Sequence, residues 1–462
     1  MMSGPPPVPV PTETAKKPRS VILRVLLWFG KLTGILILLV VLFVVVLALW
    51  PDKPEFDDSD IIPVWAEGID DNPLARFQDW AEANSELFPE KGDARLNIYK
   101  KDAEWDGEAA NALLEEHKEV LEQLRLLAGA AEEPWQWKGG ADVARMDAPS
   151  PGYLIWAGRL EKLQCFRQIE QGRYDEAITT AHRMSVIGKK LSRSKGPLIH
   201  FLIGKTIATG GTQCIERLAK SKNNWYSPDR YEQVIEILDQ IELKPKDLVF
   251  VLKTEYLSFK RWMSDIEAGK VSPSPFGERG FNSHLELLRF QRNETLALYR
   301  EIIVPFIEDL EKGNYPPPEK IEKADAKIRS LKLNGLMLFV HPNATGKIWI
   351  SASDPRLPSL SRYWGKSLAN FRVTKTLIAI QAYESVNGQL PDSLKKLVPK
   401  YLTSTPIDPF SSKPLIWDLK KLVIYSVGQD RVDNGGMVNL NINKKGSDIG
   451  VKLEKLESTN GK

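Results

Sequence analysis

Cysteine is nearly absent from this 462-residue chain: only Cys165 and Cys214 occur, so no disulfide framework and no cysteine-rich metal site organises it. The pair is compatible with one bridge or with two separately buried thiols. Histidine is almost as scarce. His117, His182, His200, His284 and His341 are scattered, with no HExxH pair and no Glu three residues before any of them, so zinc and di-iron sites lose their ligand spacing. Excess charge is missing too. Lys and Arg number 63 against 60 Asp and Glu, and the first 50 residues alone hold Lys16, Lys17, Arg19, Arg24 and Lys31 against Glu13. Residues 51–462 therefore sum to −1, too little positive charge for neutralising a phosphate backbone, and nucleic acid is excluded as a partner.

Catalytic signatures are equally thin. Gly204, Lys205 and Thr206 match the end of a P-loop, but Ile199 stands where its first glycine belongs and the context is helical. The Ser192-to-Lys195 and Ser393-to-Lys396 spacings have no accompanying SDN or KTG element. Neighbouring carboxylates such as Glu115 and Glu116 point ~100° apart on a helix, which is poor geometry for a shared acid–base site. His200 sits in an apolar helix and is expected as a hydrogen-bonded core histidine. Trp135 and Trp137 lie in AEEPWQWKGG, a turn-rich loop expected to pack against the helices.

What the chain does have is length, a composition of 42% hydrophobic residues, and one long apolar run. Residues 32–50, LTGILILLVVLFVVVLALW, carry no charge, and as a helix rising ~1.5 Å per residue they cover a ~30 Å hydrocarbon core. Basic residues precede this run, and Asp52, Glu55, Asp57, Asp58 and Asp60 follow it, which keeps the amino terminus in the cytoplasm. The run is too long, and the region before it too extended, for a cleaved signal peptide. The expectation is a single-pass anchor over 21–50 in a bacterial inner membrane, with the bulk of the chain periplasmic. Residues 1–20, MMSGPPPVPVPTETAKKPRS, read as a proline-rich cytoplasmic tail.

After an acidic stalk at 51–69, residues 70–335 read as successive amphipathic helices forming an irregular bundle. In 107–128, Leu113, Leu114, Val120, Leu121, Leu124 and Leu127 share one face. Further helices are predicted at 153–170, 174–191, 197–218, 228–241, 246–268 and 281–311. The segment QGRYDEAI at 171–178 resembles the turn of a tetratricopeptide repeat, but nothing recurs 34 residues away, so one helical hairpin is expected. Residues 336–360 read as a connector. A helix at 361–386, a short helix at 392–401 and strands at 414–417 and 422–426 complete the pattern.

The carboxy-terminal residues, from AIQAYESVNGQLPDSLKKLVPKYL through DPFSSKPLIWDLKKLVIYSVGQDRVDNGG, resemble the terminal region of type II secretion major pseudopilins. Tyr383 and Gly388 end a helix, Leu390 and Pro391 begin the next, Asp408 and Pro409 mark a loop, and Tyr425 to Gly428 lead into Asp430. The resemblance implies a small α+β module at 361–462 and calcium held by Asp430, Asp433 and Asp448 in an Asp- and Gly-rich loop. It does not extend to the amino terminus: Gly30 is followed by KLTGI, without the glutamate of pseudopilin membrane helices.

The fold class expected is therefore mainly α: one membrane helix, an irregular helical bundle and a pseudopilin-like module. The function expected is that of a non-enzymatic envelope scaffold or binding protein, linked to secretion through its terminal module, with the membrane and other envelope proteins as partners. The alternative is an exported enzyme whose site in the helical domain is assembled from residues distant in sequence.

Overall fold

The computed structural model describes residues 21–64, 71–89, 105–137, 152–196, 198–221, 225–242, 244–271, 289–335, 337–353, 356–438 and 448–453. Helix α1 (Val21–Leu49) is long and apolar enough over Arg24–Leu47 to cross a membrane, and it leaves its apolar side chains uncovered, with Leu36 62% and Leu38 65% exposed. No soluble core explains such a helix.

The stretch expected as a stalk is fastened to the helical domain. Asp52 accepts from the backbone N–H groups of Asn293 (2.7 Å) and Glu294 (2.9 Å), placing a carboxylate at the start of a helix where the dipole favours it. Asp58, nearly buried, accepts from Lys260 Nζ at 2.8 Å and from the Tyr256 hydroxyl at 2.9 Å. Asp60 takes both prongs of Arg300 at 2.8 Å.

The body begins with α2 (Pro73–Ala83), whose first turn is capped by Asn72. The amphipathic stretch at 107–128 is two helices, α3 (Gly107–Glu116) and α4 (Lys118–Gly129). The break falls at His117, which leaves helical geometry and packs edge-on against Trp156 at 5.3 Å. Helices α5 (Gly152–Glu170) and α6 (Tyr174–Ser192) form the expected hairpin, turning at Gly172 with φ +70°. Helix α7 (Leu198–Lys220) crosses α6 at glycines: a Cβ on Gly188 would stand 2.6 Å from both the Ala208 nitrogen and the Gly204 oxygen. The two backbones touch there, as only glycine permits. Helix α8 (Pro228–Ile241) has its sequence-predicted bounds because Ser227 caps it and Pro228 opens it.

A short 3-10 turn (Pro245–Leu248) precedes α9 (Val249–Glu267), and α10 (Arg292–Glu311) packs beside it. The segment read as a connector holds helical turns of its own. After α11 (Pro318–Ser330) come α12 (Met337–Val340), α13 (Ala344–Ser353) and the long α14 (Arg356–Asn387). Gly388, φ +69°, ends α14 in the left-handed conformation. The short helix predicted at 392–401 is a single 3-10 turn, Leu394–Leu397.

Strands β1 (Ile416–Asp418), β2 (Val423–Ser426) and β3 (Ile449–Lys452) form an antiparallel sheet in the order β1-β2-β3, with Ile416 opposite Tyr425 and Ile424 opposite Val451. This module shares its core with the bundle: Leu377, Ile380, Leu397, Ile424 and Val451 belong to the apolar cluster that holds α5 to α8. A second cluster joins Ile61 to α9, α10, α11 and α13. Tyr231 of α8 donates to the Tyr401 carbonyl at 2.6 Å across the boundary.

Candidate functional site: a basic cleft

A concavity of about 1040 Å³ opens between the end of α4, the loop after it, the outer face of α6 and one edge of α8. Its wall is fixed from below. The Asn72 carboxamide oxygen accepts from the N–H groups of Leu74, Ala75 and Gln136, tying the start of α2 to the loop, and Trp135 Nε1 donates to the Ala130 carbonyl at 3.0 Å. Trp135 and Trp137 are both buried, so the loop packs as the sequence suggests and presents no exposed aromatic platform.

The lining carries six cations, Arg125, Arg183, Lys189, Lys190, Arg193 and Lys195, against the carboxylates of Glu132 and Glu236. Some of this charge is answered. Arg183 donates to Glu161 and, at 3.2 Å, to the Thr180 hydroxyl. Arg193 grips both oxygens of Asp247 at 2.9 and 3.1 Å, and Arg125 reaches Glu122 at 3.1 Å. Lys190 donates to the Glu133 carbonyl, and Lys195 lies over the Phe250 ring at 5.7 Å. Among the described residues Lys189, Lys190 and Lys195 have no carboxylate partner, so the cleft keeps a net positive field.

Glu161 is fully buried beneath Arg183; burial raises its carboxyl pKa, while Arg183 and Arg125 pull against that shift. Its Oε2 has no hydrogen-bond partner among the described residues, and neither has Oε1 of Gln136, which is 5% exposed and lines the cleft. The arrangement is suited to holding an anion: cations fixed by ion pairs and lysines without a carboxylate partner among the described residues surround one opening. His182 also lines it, without a hydrogen bond to another described side chain. Sequence reading did not single out this site, although five of its six cations lie between Arg183 and Lys195, where KKLSRSK at 189–195 holds no acidic residue; only Arg125 comes from a distant element.

The residues named for calcium lie near one another between β2 and β3, where they accept loop hydrogen bonds. Asp448, 2% exposed, accepts from the N–H groups of Asn434 at 3.3 Å and Gly436 at 2.8 Å. Asp433 accepts from Gly435 N–H at 2.8 Å and from the Tyr425 hydroxyl at 3.0 Å, and Asp430 accepts from Val432 N–H at 3.1 Å. Burial first, then the neighbouring charges of Asp433 and Asp430, push the Asp448 pKa up, against the two backbone donors. Each of these carboxylates accepts backbone N–H groups of the loop. Among the described residues no group of three or more His, Cys, Asp or Glu is placed to hold a metal ion; residues 439–447 lie outside them.

The remaining sequence candidates are structural. His200 is 1% exposed and stacks on Trp137 with centroids 3.6 Å apart, and burial lowers its pKa to about 3, so it is neutral. It lacks the hydrogen bond expected of it: Nδ1 has no partner among the described residues. Stacking on the indole takes that place. Cys165 and Cys214 are free thiols in the core. Comparison with family models, curated proteins and solved structures finds no match for this chain.

Proposed function

We propose that this chain is a single-pass envelope protein, anchored by α1 with its amino terminus in the cytoplasm, whose helical domain binds an acidic segment of another envelope protein in the basic cleft. The observation that carries the reading is the set of lysines, Lys189, Lys190 and Lys195, without carboxylate partners among the described residues around an opening of about 1040 Å³. Complementary charge steers an acidic partner to such a surface and rejects basic ones. The role is binding, with no covalent chemistry. Its link to secretion rests on the terminal module's resemblance alone.

The test is a photo-crosslinking residue at position 182 of the full-length protein in intact cells. The expected result is a protein adduct on an acidic segment, reduced tenfold or more by joint charge reversal of Lys189, Lys190 and Lys195 to Glu. An adduct indifferent to that reversal, or no protein adduct, contradicts the reading.

Calcium at the terminal loop is the second reading, favoured by the like-charge pressure on Asp448, which a divalent cation would relieve. The carboxylates keep lone pairs for a cation beside the backbone N–H groups they accept. Millimolar chelator lowering the melting temperature supports it; an unchanged melting temperature removes it.

A further inference from the structure

Beyond the cleft, two further concavities share lining residues with their neighbours in turn. Lys189, Arg193 and Gln240 line both the cleft and a narrow crevice of about 10 Å³, and Lys205 lines both that crevice and an inner cavity of about 230 Å³. Lys205 is 4% exposed. The α6–α7 crossing puts it there. A Cβ on Gly204 would stand 2.6 Å from the Ser192 nitrogen, so the backbones meet at the residue before Lys205 and its stem is enclosed.

Burial lowers the Lys205 pKa to about 8, against the attraction of Asp247. Yet both Asp247 oxygens are held by Arg193, and among the described residues Lys205 has no hydrogen bond or ion pair. A buried ammonium without a fixed acceptor is a costly arrangement, which a bound anion would relieve. The lining of the inner cavity includes the aromatic residues Tyr315, Tyr363, Trp364 and Phe371. The charged groups around it are Lys366 on α14 and Glu242 after α8, the latter in an ion pair with Arg372 at 3.8 Å. Arg193 and Lys189 approach from α6 and Asp247 from the 3-10 turn. At about 230 Å³ the cavity is smaller than the ~300–1,000 Å³ of drug-sized sites, so its occupant is a small molecule.

We propose that the inner cavity binds a small organic carboxylate, with the Lys205 ammonium as its counter-ion and the aromatic lining against its apolar body. Positive charge selects the anion, and the aromatic rings select a carboxylate that carries a flat or branched apolar group over a bare inorganic ion. This site is separate from the acidic-segment site of the cleft and is tested separately.

The experiment titrates full-length protein in detergent with benzoate, and with its neutral isostere benzamide, by ligand-observed NMR and thermal shift. Benzoate is expected to bind saturably and raise the melting temperature, with benzamide at least tenfold weaker. Benzoate affinity is expected to fall about tenfold between pH 7 and pH 9 as Lys205 loses its proton. Lys205→Met should abolish benzoate binding while the ligand-free protein keeps its helical circular dichroism and melts no lower, because an unpaired buried charge has been removed. Equal binding of the two probes, no binding of benzoate at 10 mM, a flat pH profile, or benzoate binding that survives Lys205→Met each overturns the proposal. Should Lys205→Met fail to fold, the benzoate–benzamide ratio and the pH profile on the unmodified protein decide it.

Discussion

Removing the Asp58 carboxylate tests how firmly the membrane exit is joined to the helical domain. Asp58 is 7% exposed and receives three hydrogen bonds, two from Lys260 Nζ at 2.8 Å and one from the Tyr256 hydroxyl at 2.9 Å. In Asp58→Ala the hydroxyl of fully buried Tyr256 loses an ionised acceptor, a loss of ~1.5–3 kcal/mol. Breaking a fully buried ion pair costs ~3–5 kcal/mol and an exposed one ~0–1 kcal/mol. The Lys260 side chain is 26% exposed and can turn partly to water, so its share falls between these limits. The combined loss is about 3 kcal/mol, and Asp58→Asn, which keeps an acceptor for the hydroxyl, should lose less. The assay is urea unfolding of the full-length protein in detergent, read as a shift in midpoint at constant slope, with hydrogen exchange of residues 51–63. Pairing Asp58→Ala with Lys260→Met in a double-mutant cycle should return a coupling of about 1–2 kcal/mol. A loss below about 0.5 kcal/mol, with unchanged exchange at 51–63, would refute the clamp.

Three further outcomes follow from the geometry. Gly188→Ala places a methyl group 2.6 Å from backbone atoms of α7, so it should destabilise by ~1–3 kcal/mol in the same unfolding assay; a neutral effect would contradict the close crossing. His200 titrates near 3 when folded and near its ordinary value of 6.5 when unfolded, so its contribution is complete above pH 6.5 and declines as pH falls toward 3. The decline approaches ~1.4 kcal/mol per pH unit, and His200→Phe, which keeps the stack on Trp137, should remove that slope between pH 6 and 4; superimposable profiles of stability against pH would contradict a buried neutral imidazole. Cys165 and Cys214 are each 1% exposed and should react with maleimide only after denaturation, as read by intact mass.

Local chemistry in the sequence carried the elements, and contacts between distant residues carried the site. Ser227 and Pro228 fix the start of α8, and Gly388 fixes the end of α14, because caps act within a few residues of themselves. The break at His117 was hidden, since the apolar stripe continues through it and the ring it packs against, Trp156, lies 39 positions away in the chain. Asp52, Asp58 and Asp60 were legible only as an acidic flank to the membrane run. Their partners, at 256–300, lie about 200 residues downstream, and no periodicity marks such pairs. Lys205 was visible only as a failed P-loop match. Its meaning lies in the meeting of Gly188 and Gly204, which buries it beside a cavity. The cleft's positive field was partly legible, since KKLSRSK at 189–195 supplies four of its six cations, but the opening they line is made only when α4 and α8 pack beside α6.

The proposed placement of the helical body outside the cytoplasm is tested most directly by thiol labelling in cells whose outer barrier has been opened while the inner membrane stays sealed. The native thiols are buried, so a cysteine introduced by Glu82→Cys on the exposed face of α2 reports alone, and Thr12→Cys in the amino-terminal tail serves as the opposite control. The expected result is that a membrane-impermeant maleimide modifies position 82 before lysis and position 12 only after it. Position 82 protected until lysis, or the full-length chain recovered free of membranes, would contradict both the topology and the binding role built on it.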